Sequence, residues 1–267
     1  MKFVIRLVIG LSIGALVLWG VWLAPLIVFG MGVCTFSAIA LYEFLTMLKL
    51  RGVAVNRFFG VVMGFVIPLV VYFQWGITQS GEVLFVVLAC FFLFLIQFTR
   101  RENPRALEGI ALTFFGIMYI GWFLSFVNKM LFIDGAAQWI TYLLAVTKSS
   151  DIGAYVVGSA FGRHQLIPHI SPKKSVEGTA AGLLTSVLVS MCAYGHLPLN
   201  FSYFHLAILG GAIGLVGQCG DLAESLIKRY CQTKDSATIL PGFGGLLDVI
   251  DSILFTAPLF YFYLKIV

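Results

Sequence analysis

Residues 3–48 read FVIRLVIGLSIGALVLWGVWLAPLIVFGMGVCTFSAIALYEFLTML, and Arg6 and Glu43 are the only charges among them. A helix crosses about 30 Å of hydrocarbon in about 20 residues, at 1.5 Å per residue. The stretch is too long for one crossing and suits two, broken near Gly20 to Pro25. Outward from it, apolar runs follow at 58–75, 82–99, 106–127, 137–160, 179–195, 205–222 and 249–266, so nine spans are expected. The sixth carries Lys148 and Asp151 and is not a plain lipid-facing helix.

Composition agrees with that start. The 267 residues are 60% hydrophobic and 11% charged, with a mean hydropathy of +0.99. A soluble domain is roughly 45–50% apolar and about 25% charged. Twelve acids and seventeen bases cannot coat a globule of this size with charge. Soluble, fibrous and disordered chains are excluded, and the expected fold is all-α, a polytopic integral membrane protein. The N-terminal run has no small-residue cleavage site before more membrane-length sequence, which points to a retained span rather than a signal peptide.

The net charge of +5 raises nucleic acid as a partner, but loop placement of bases explains it better, and no nucleic acid is expected. With the N-terminus inside, fourteen of the seventeen bases fall on cytoplasmic segments: Lys2, Arg6, Lys49, Arg51, Arg57, Arg100, Arg101, Arg105, Arg163, Lys173, Lys174, Lys228, Arg229 and Lys234. Lys129 and Lys265 fall outside, and Lys148 lies within a span. Up to about residue 145 the polar residues sit in loops; beyond it, charges and glycines crowd the ends of spans. Residues 1–135 are therefore read as scaffold and 136–267 as the catalytic region.

The five cysteines (Cys34, Cys90, Cys192, Cys219, Cys231) form no CxxC or zinc spacing and read as small core residues. The histidines (His164, His169, His196, His205) form no HExxH pattern, and no GxxxxGK[ST] phosphate loop occurs.

Three clusters hold the candidate chemistry. Lys148 to Tyr155 reads KSSDIGAY; an ionisable residue inside a span lines a polar cavity or meets a partner, and the alternative is a self-neutralising Lys148–Asp151 pair. The second cluster is the basic loop from Gly162 to Gly178, where Ser175 can start the next helix. Lys173 and Lys174 there suit phosphates as point charges or act as topological anchors. His164 and His169 flank that loop and are candidate substrate contacts.

The third cluster runs from GDLAESLIKR (220–229) through Lys234 and Asp235 to PGFGGLLDVIDS (241–252). On a helix Asp221, Glu224 and Lys228 share one face, and Asp248 and Asp251 repeat the i, i+3 spacing. Two carboxylate pairs at facing helix ends suit a hard divalent cation, and Mg²⁺ combines few carboxylates with substrate phosphates. The competing reading is that these acids cap helix dipoles, although four acids of twelve exceed what capping requires.

The run from Ser225 to Asp251, S-L-I-K-R-x4-K-D-S-A-x2-L-P-G-F-G-G-L-L-D-V-I-D, resembles the signature of the phosphatidate cytidylyltransferases (CDP-diacylglycerol synthases). SDIGAY, GxxFGRH and SPKKSVEG between Ser150 and Gly178 are similar to that family's other well-marked stretch. Two positions depart: Phe243 stands where the family usually has His, and Val249 where it usually has Arg. The acids are kept.

The resemblance implies that CTP and phosphatidic acid give CDP-diacylglycerol and pyrophosphate. It implies Mg²⁺ on Asp221, Asp248 and Asp251 with Glu224 beside them, allows a second cation, and gives Lys173 and Lys174 catalytic roles. Substrate contacts are implied for Ser171, Lys228, Arg229, Lys234, Asp235, Gly242, Gly244, Gly245 and Asp151. The expected partners are CTP, phosphatidic acid and the lipid bilayer, with a homodimer as an option. The expected location is the inner (plasma) membrane, active site towards the cytoplasm. A different class remains as the alternative, an ion-coupled transporter using Asp151 and Asp221, as does a CDP-alcohol phosphotransferase, whose DGxxAR motif is absent.

Overall fold

Pro25 makes the first break. Helix α1 (Lys2–Trp22) ends, Pro25 takes φ −54° and ψ 140°, and α2 (Leu26–Leu50) begins. The ring holds φ near −65° and carries no N–H, so a helix can start after it but not run through it unkinked. This computed structural model describes residues 2–73, 81–99, 105–237 and 244–267.

The chain forms two compact units. The first comprises Met1–Lys129 and Cys231–Val249. It holds α1, α2, α3 (Arg57–Phe73), α4 (Gly81–Phe98), α5 (Ala106–Gly116), a π-helical turn (Ile117–Trp122) and α6 (Phe123–Met130), the last three forming one continuous rod. Its core is built from α2 and the π turn: Leu41, Phe44, Leu45, Leu48, Ile117 and Ile120 are almost fully buried. Polar ties replace part of the apolar packing. The buried Asn128 amide donates to the carbonyls of Pro68 (3.0 Å) and Gly30 (3.4 Å), joining α6 to α3 and α2. Such bonds hold helices together where lipid removes the hydrophobic drive between them.

The second unit comprises Met130–Tyr230 and Ile250–Val267. It contains α7 (Ala136–Phe161), an antiparallel hairpin of β1 (Gln165–Ile167) and β2 (Ser171–Ser175), α8 (Val176–Cys192), α9 (Tyr203–Tyr230) and most of α10 (Leu247–Ile266). Ser175 caps α8, its hydroxyl accepting from the Gly178 N–H at 3.1 Å, which places the helix start where Ser175 suggests. Deeper in the unit, Tyr142 and Ser190 share a 2.6 Å hydrogen bond, and Gln218 donates to the Ser150 hydroxyl and the Thr179 carbonyl.

Among the described residues every apolar run expected from the sequence is helical. Among the described residues, four helices are long and apolar enough to cross a membrane: Leu26–Leu50, Ala106–Met130, Tyr203–Tyr230 and Leu247–Ile266. The protein is an all-helical membrane protein but for the short hairpin, which the sequence does not announce. Helix α9 outlasts its apolar run at 205–222 by two turns, and that polar extension carries Glu224, Lys228 and Arg229. Residues 231–249, grouped with the C-terminal region on sequence, cluster with the first unit.

Candidate active site

The second unit brings three acids together. Asp221 and Glu224 lie one turn apart on α9, Asp251 lies on α10, and one oxygen of each falls within 4.8 Å of the others. Glu224 is 0% and Asp251 6% exposed. The helices approach this closely because Gly220 has no side chain: a Cβ there would stand 2.7 Å from the Asp251 carbonyl oxygen. Hard carboxylate oxygens at this spacing fit a divalent cation such as Mg²⁺.

Two lysines balance the cluster. Lys228 pairs with Glu224 one turn along α9, and Lys174 Nζ lies 2.8 Å from Asp221 Oδ2. Successive side chains on a strand point to opposite faces. Strand β2 thus separates adjacent lysines: Lys174 is 24% exposed and reaches Asp221, whereas Lys173 is exposed. The Lys174 Nζ is itself buried and meets Asp221 as an ion pair without an aligned hydrogen bond. Arg229 Nε donates to the Ile170 carbonyl at 3.1 Å, fastening the hairpin tip to α9, while Ser171 opens β2.

Lys148 and Asp151 do pair, at 2.9 Å, but not in isolation. Lys148 also donates to Ser252 Oγ at 2.9 Å, and that hydroxyl donates to Asp151 at 3.0 Å. The Ser252 N–H in turn donates to Asp251 Oδ1 at 2.6 Å. The cluster first seen in α7 therefore braces the residue beside Asp251.

At the root of the hairpin, Glu177 accepts from the N–H groups of Arg163 and His164 and bonds His164 Nδ1 at 2.6 Å. Glu177 precedes the apolar run at 179–195. The bonded His164 imidazole, followed by backbone N–H groups, holds its carboxyl down at about 2. His164 is thus taken up in holding the hairpin, and His169 is exposed.

The remaining expected residues among those described belong to the first unit. Asp248 Oδ2 accepts from the Ser236 N–H (2.9 Å), the Ser236 hydroxyl (2.7 Å) and the Gly245 N–H (2.8 Å). Gly244 has φ +99°, which favours glycine. Lys234 and Asp235 are exposed. Gly242 and the divergent Phe243 lie outside the described residues. Glu43 and Ser236 were not candidates on sequence, yet both are buried and bonded to this turn. One signal pointed to Glu43, a lone carboxylate inside an apolar run.

Residues 4–267 match the cytidylyltransferase family. The chain belongs to that family. Among similar proteins, the phosphatidate cytidylyltransferase of Bacillus subtilis is 32% identical over 86% of each chain. That of Chlamydia pneumoniae is 31% identical over 91% of this chain and 85% of its own. An uncharacterized Escherichia coli protein, YnbB, is 38% identical over 59% of this chain and 52% of its own. The acid cluster and its lysines therefore sit in a cytidylyltransferase-family membrane protein.

Proposed function

We propose that the protein transfers the cytidylyl group of CTP to phosphatidic acid, releasing pyrophosphate and forming CDP-diacylglycerol, with Mg²⁺ as cofactor. Family membership and the relatives named phosphatidate cytidylyltransferase support the reaction. The observation that carries the metal and phosphate chemistry is the Asp221–Glu224–Asp251 cluster flanked by Lys174 and Lys228. A transporter or a CDP-alcohol phosphotransferase is not favoured by the family match.

Asp221, Glu224 and Asp251 would hold Mg²⁺, which neutralises phosphate charge and orients the triphosphate when bound. Lys174 and Lys228, paired with acids here, turn to the phosphates of CTP. Lys173, on the other strand face, serves the phosphates or the lipid head. A phosphatidate oxygen attacks the α-phosphorus of CTP, the α–β bridging P–O bond breaks, and pyrophosphate leaves. The attacking oxygen is already anionic, so positioning and charge neutralisation supply most of the catalysis. Asp151 and Lys148 position Ser252 and hence Asp251, and Arg229 holds the hairpin. Asp248, Gly244 and Gly245, in the turn that Asp248 closes, are proposed contacts for CTP. Ser171, Lys234, Asp235 and Gly242 are further proposed substrate contacts.

The deciding experiment is pyrophosphate release by purified protein in detergent. Release should require CTP, phosphatidate and Mg²⁺ together; release that survives chelation, or none with phosphatidate, overturns the proposal. The base asymmetry supports nine spans with the N-terminus and active site on the cytoplasmic face of the inner membrane. A single Cys introduced in 165–170 should then label only from the cytoplasmic side, and labelling from outside reverses the orientation.

A further inference from the structure

Within the first unit a buried carboxylate is spent on the turn before α10. Glu43 lies on α2, is 2% exposed, and sits among the apolar side chains of the unit's core. A charge in that position is costly unless hydrogen-bonded. Its partners are distant in sequence: Oε1 accepts from the Leu246 N–H at 2.9 Å, and Oε2 accepts from the Leu247 N–H at 2.9 Å and lies 2.9 Å from the Ser236 hydroxyl, whose single proton it shares with Asp248. Leu247 opens α10 and Leu246 immediately precedes it, where backbone N–H groups lack intrahelical partners and the helix dipole favours an anion.

Helices usually take such a cap from a residue next to the helix start. Here the carboxylate comes from about 200 residues upstream, so α2 rather than local sequence decides where the turn stands. The Ser236 hydroxyl lies between two carboxylates, Glu43 at 2.9 Å and Asp248 at 2.7 Å. Asp248 also takes the Gly245 N–H, so the two acids grip the same turn. The grip leaves no room at Gly245, where a Cβ would strike Ser236 Oγ and Glu43 Oε2.

We propose that Glu43 is a positioning residue for CTP handling, setting through Ser236, Leu246 and Leu247 the place of Gly244, Gly245 and Asp248. The inference rests on the proposed service of that turn to CTP. It makes one residue of the N-terminal region part of the nucleotide machinery.

The test is Glu43→Gln in full-length protein, with Ser236→Ala as a second variant that leaves Glu43 in place. Glu43→Gln keeps the size and one acceptor oxygen. It should raise KM for CTP about tenfold or more, the scale of losing a charged hydrogen bond, with KM for phosphatidate within about twofold. Equilibrium CTP binding should weaken in parallel, and amide exchange should quicken at 244–248 while α2 stays protected. Ser236→Ala should change the same quantities in the same direction, by less. Faster exchange with unchanged CTP binding and KM in both variants would reduce Glu43 to a helix cap and overturn the proposal. Unchanged exchange and kinetics would overturn it too. Asp248→Asn in the same assay separates the two levels: wild-type behaviour there sinks the role of the turn itself. Impaired Asp248→Asn beside wild-type Glu43→Gln sinks only the inference about Glu43.

Discussion

Asp248 and Asp251 stand three residues apart on α10, and their surroundings differ completely. In the first unit, Asp248 directs one oxygen at two backbone N–H groups and the Ser236 hydroxyl, while Glu43 beside it spreads two backbone N–H groups and the same hydroxyl over both of its oxygens. These are carboxylates that shape backbone. In the second unit, Asp251 joins Asp221 and Glu224, and the latter two pair with lysine ammonium groups. These are carboxylates gathered against one another, an arrangement that needs cations. Identical side chains one helical turn apart thus do separate jobs, according to whether backbone donors or other charges face them.

The largest expected effects test that contrast. Asp221→Asn and Asp251→Asn should lower turnover by at least about a hundredfold, the scale of removing one transition-state electrostatic group, with the purified protein still folded. Asp248→Asn retains an oxygen that can accept from Gly245 and Ser236, so about tenfold loss is expected from weakening the charged hydrogen bonds that hold the turn. Wild-type turnover in Asp251→Asn, measured as pyrophosphate release, would erase the difference between the two regions.

Adjacent lysines sharpen the picture on the strand. Lys174→Ala should lower kcat/KM for CTP by about tenfold or more, because its buried ammonium lies against Asp221. Lys173→Ala should change it by about threefold or less, as expected for an exposed charge. Equal effects would mean that strand alternation does not sort their roles.

The smallest effect concerns pH. Glu177 has its carboxyl depressed from 4.5 to about 2 by His164 and backbone N–H groups. A depressed carboxyl stabilises the folded state above its unfolded value, and that contribution fades as pH falls from 4.5 through about 2. Amide protection at 163–165, taken relative to the intrinsic exchange rate at each pH, should therefore fall across that window, and Glu177→Gln should be less protected at neutral pH and show no such fall. An identical profile in wild type and Glu177→Gln would remove Glu177 as the hairpin's fastener.

Much of this was legible in the chain. Apolar runs separated by basic loops are a direct consequence of bilayer thickness and backbone hydrogen bonding, so helix positions follow from the hydropathy pattern along the chain. The i, i+3 spacing of Asp221 and Glu224 places them on one face of any helix that contains them. The hairpin was less visible: SPKKS has no strand-like apolar alternation, and β2 forms because it pairs with Gln165–Ile167. Without that strand, Lys173 and Lys174 are indistinguishable.

What the sequence by itself determined is the helical membrane architecture, the family signature and the set of acids and bases available for phosphate chemistry, because these depend on local spacing and hydropathy. Only the tertiary structure decided which acids meet. Asp251 reaches Asp221 and Glu224 because Gly220 lets two backbones come together, a contact across 30 residues that no local periodicity encodes. Glu43 reaches Leu246 and Leu247 across about 200 residues for the same kind of reason. A buried carboxylate must find donors, and packing, not sequence neighbourhood, chooses where they are.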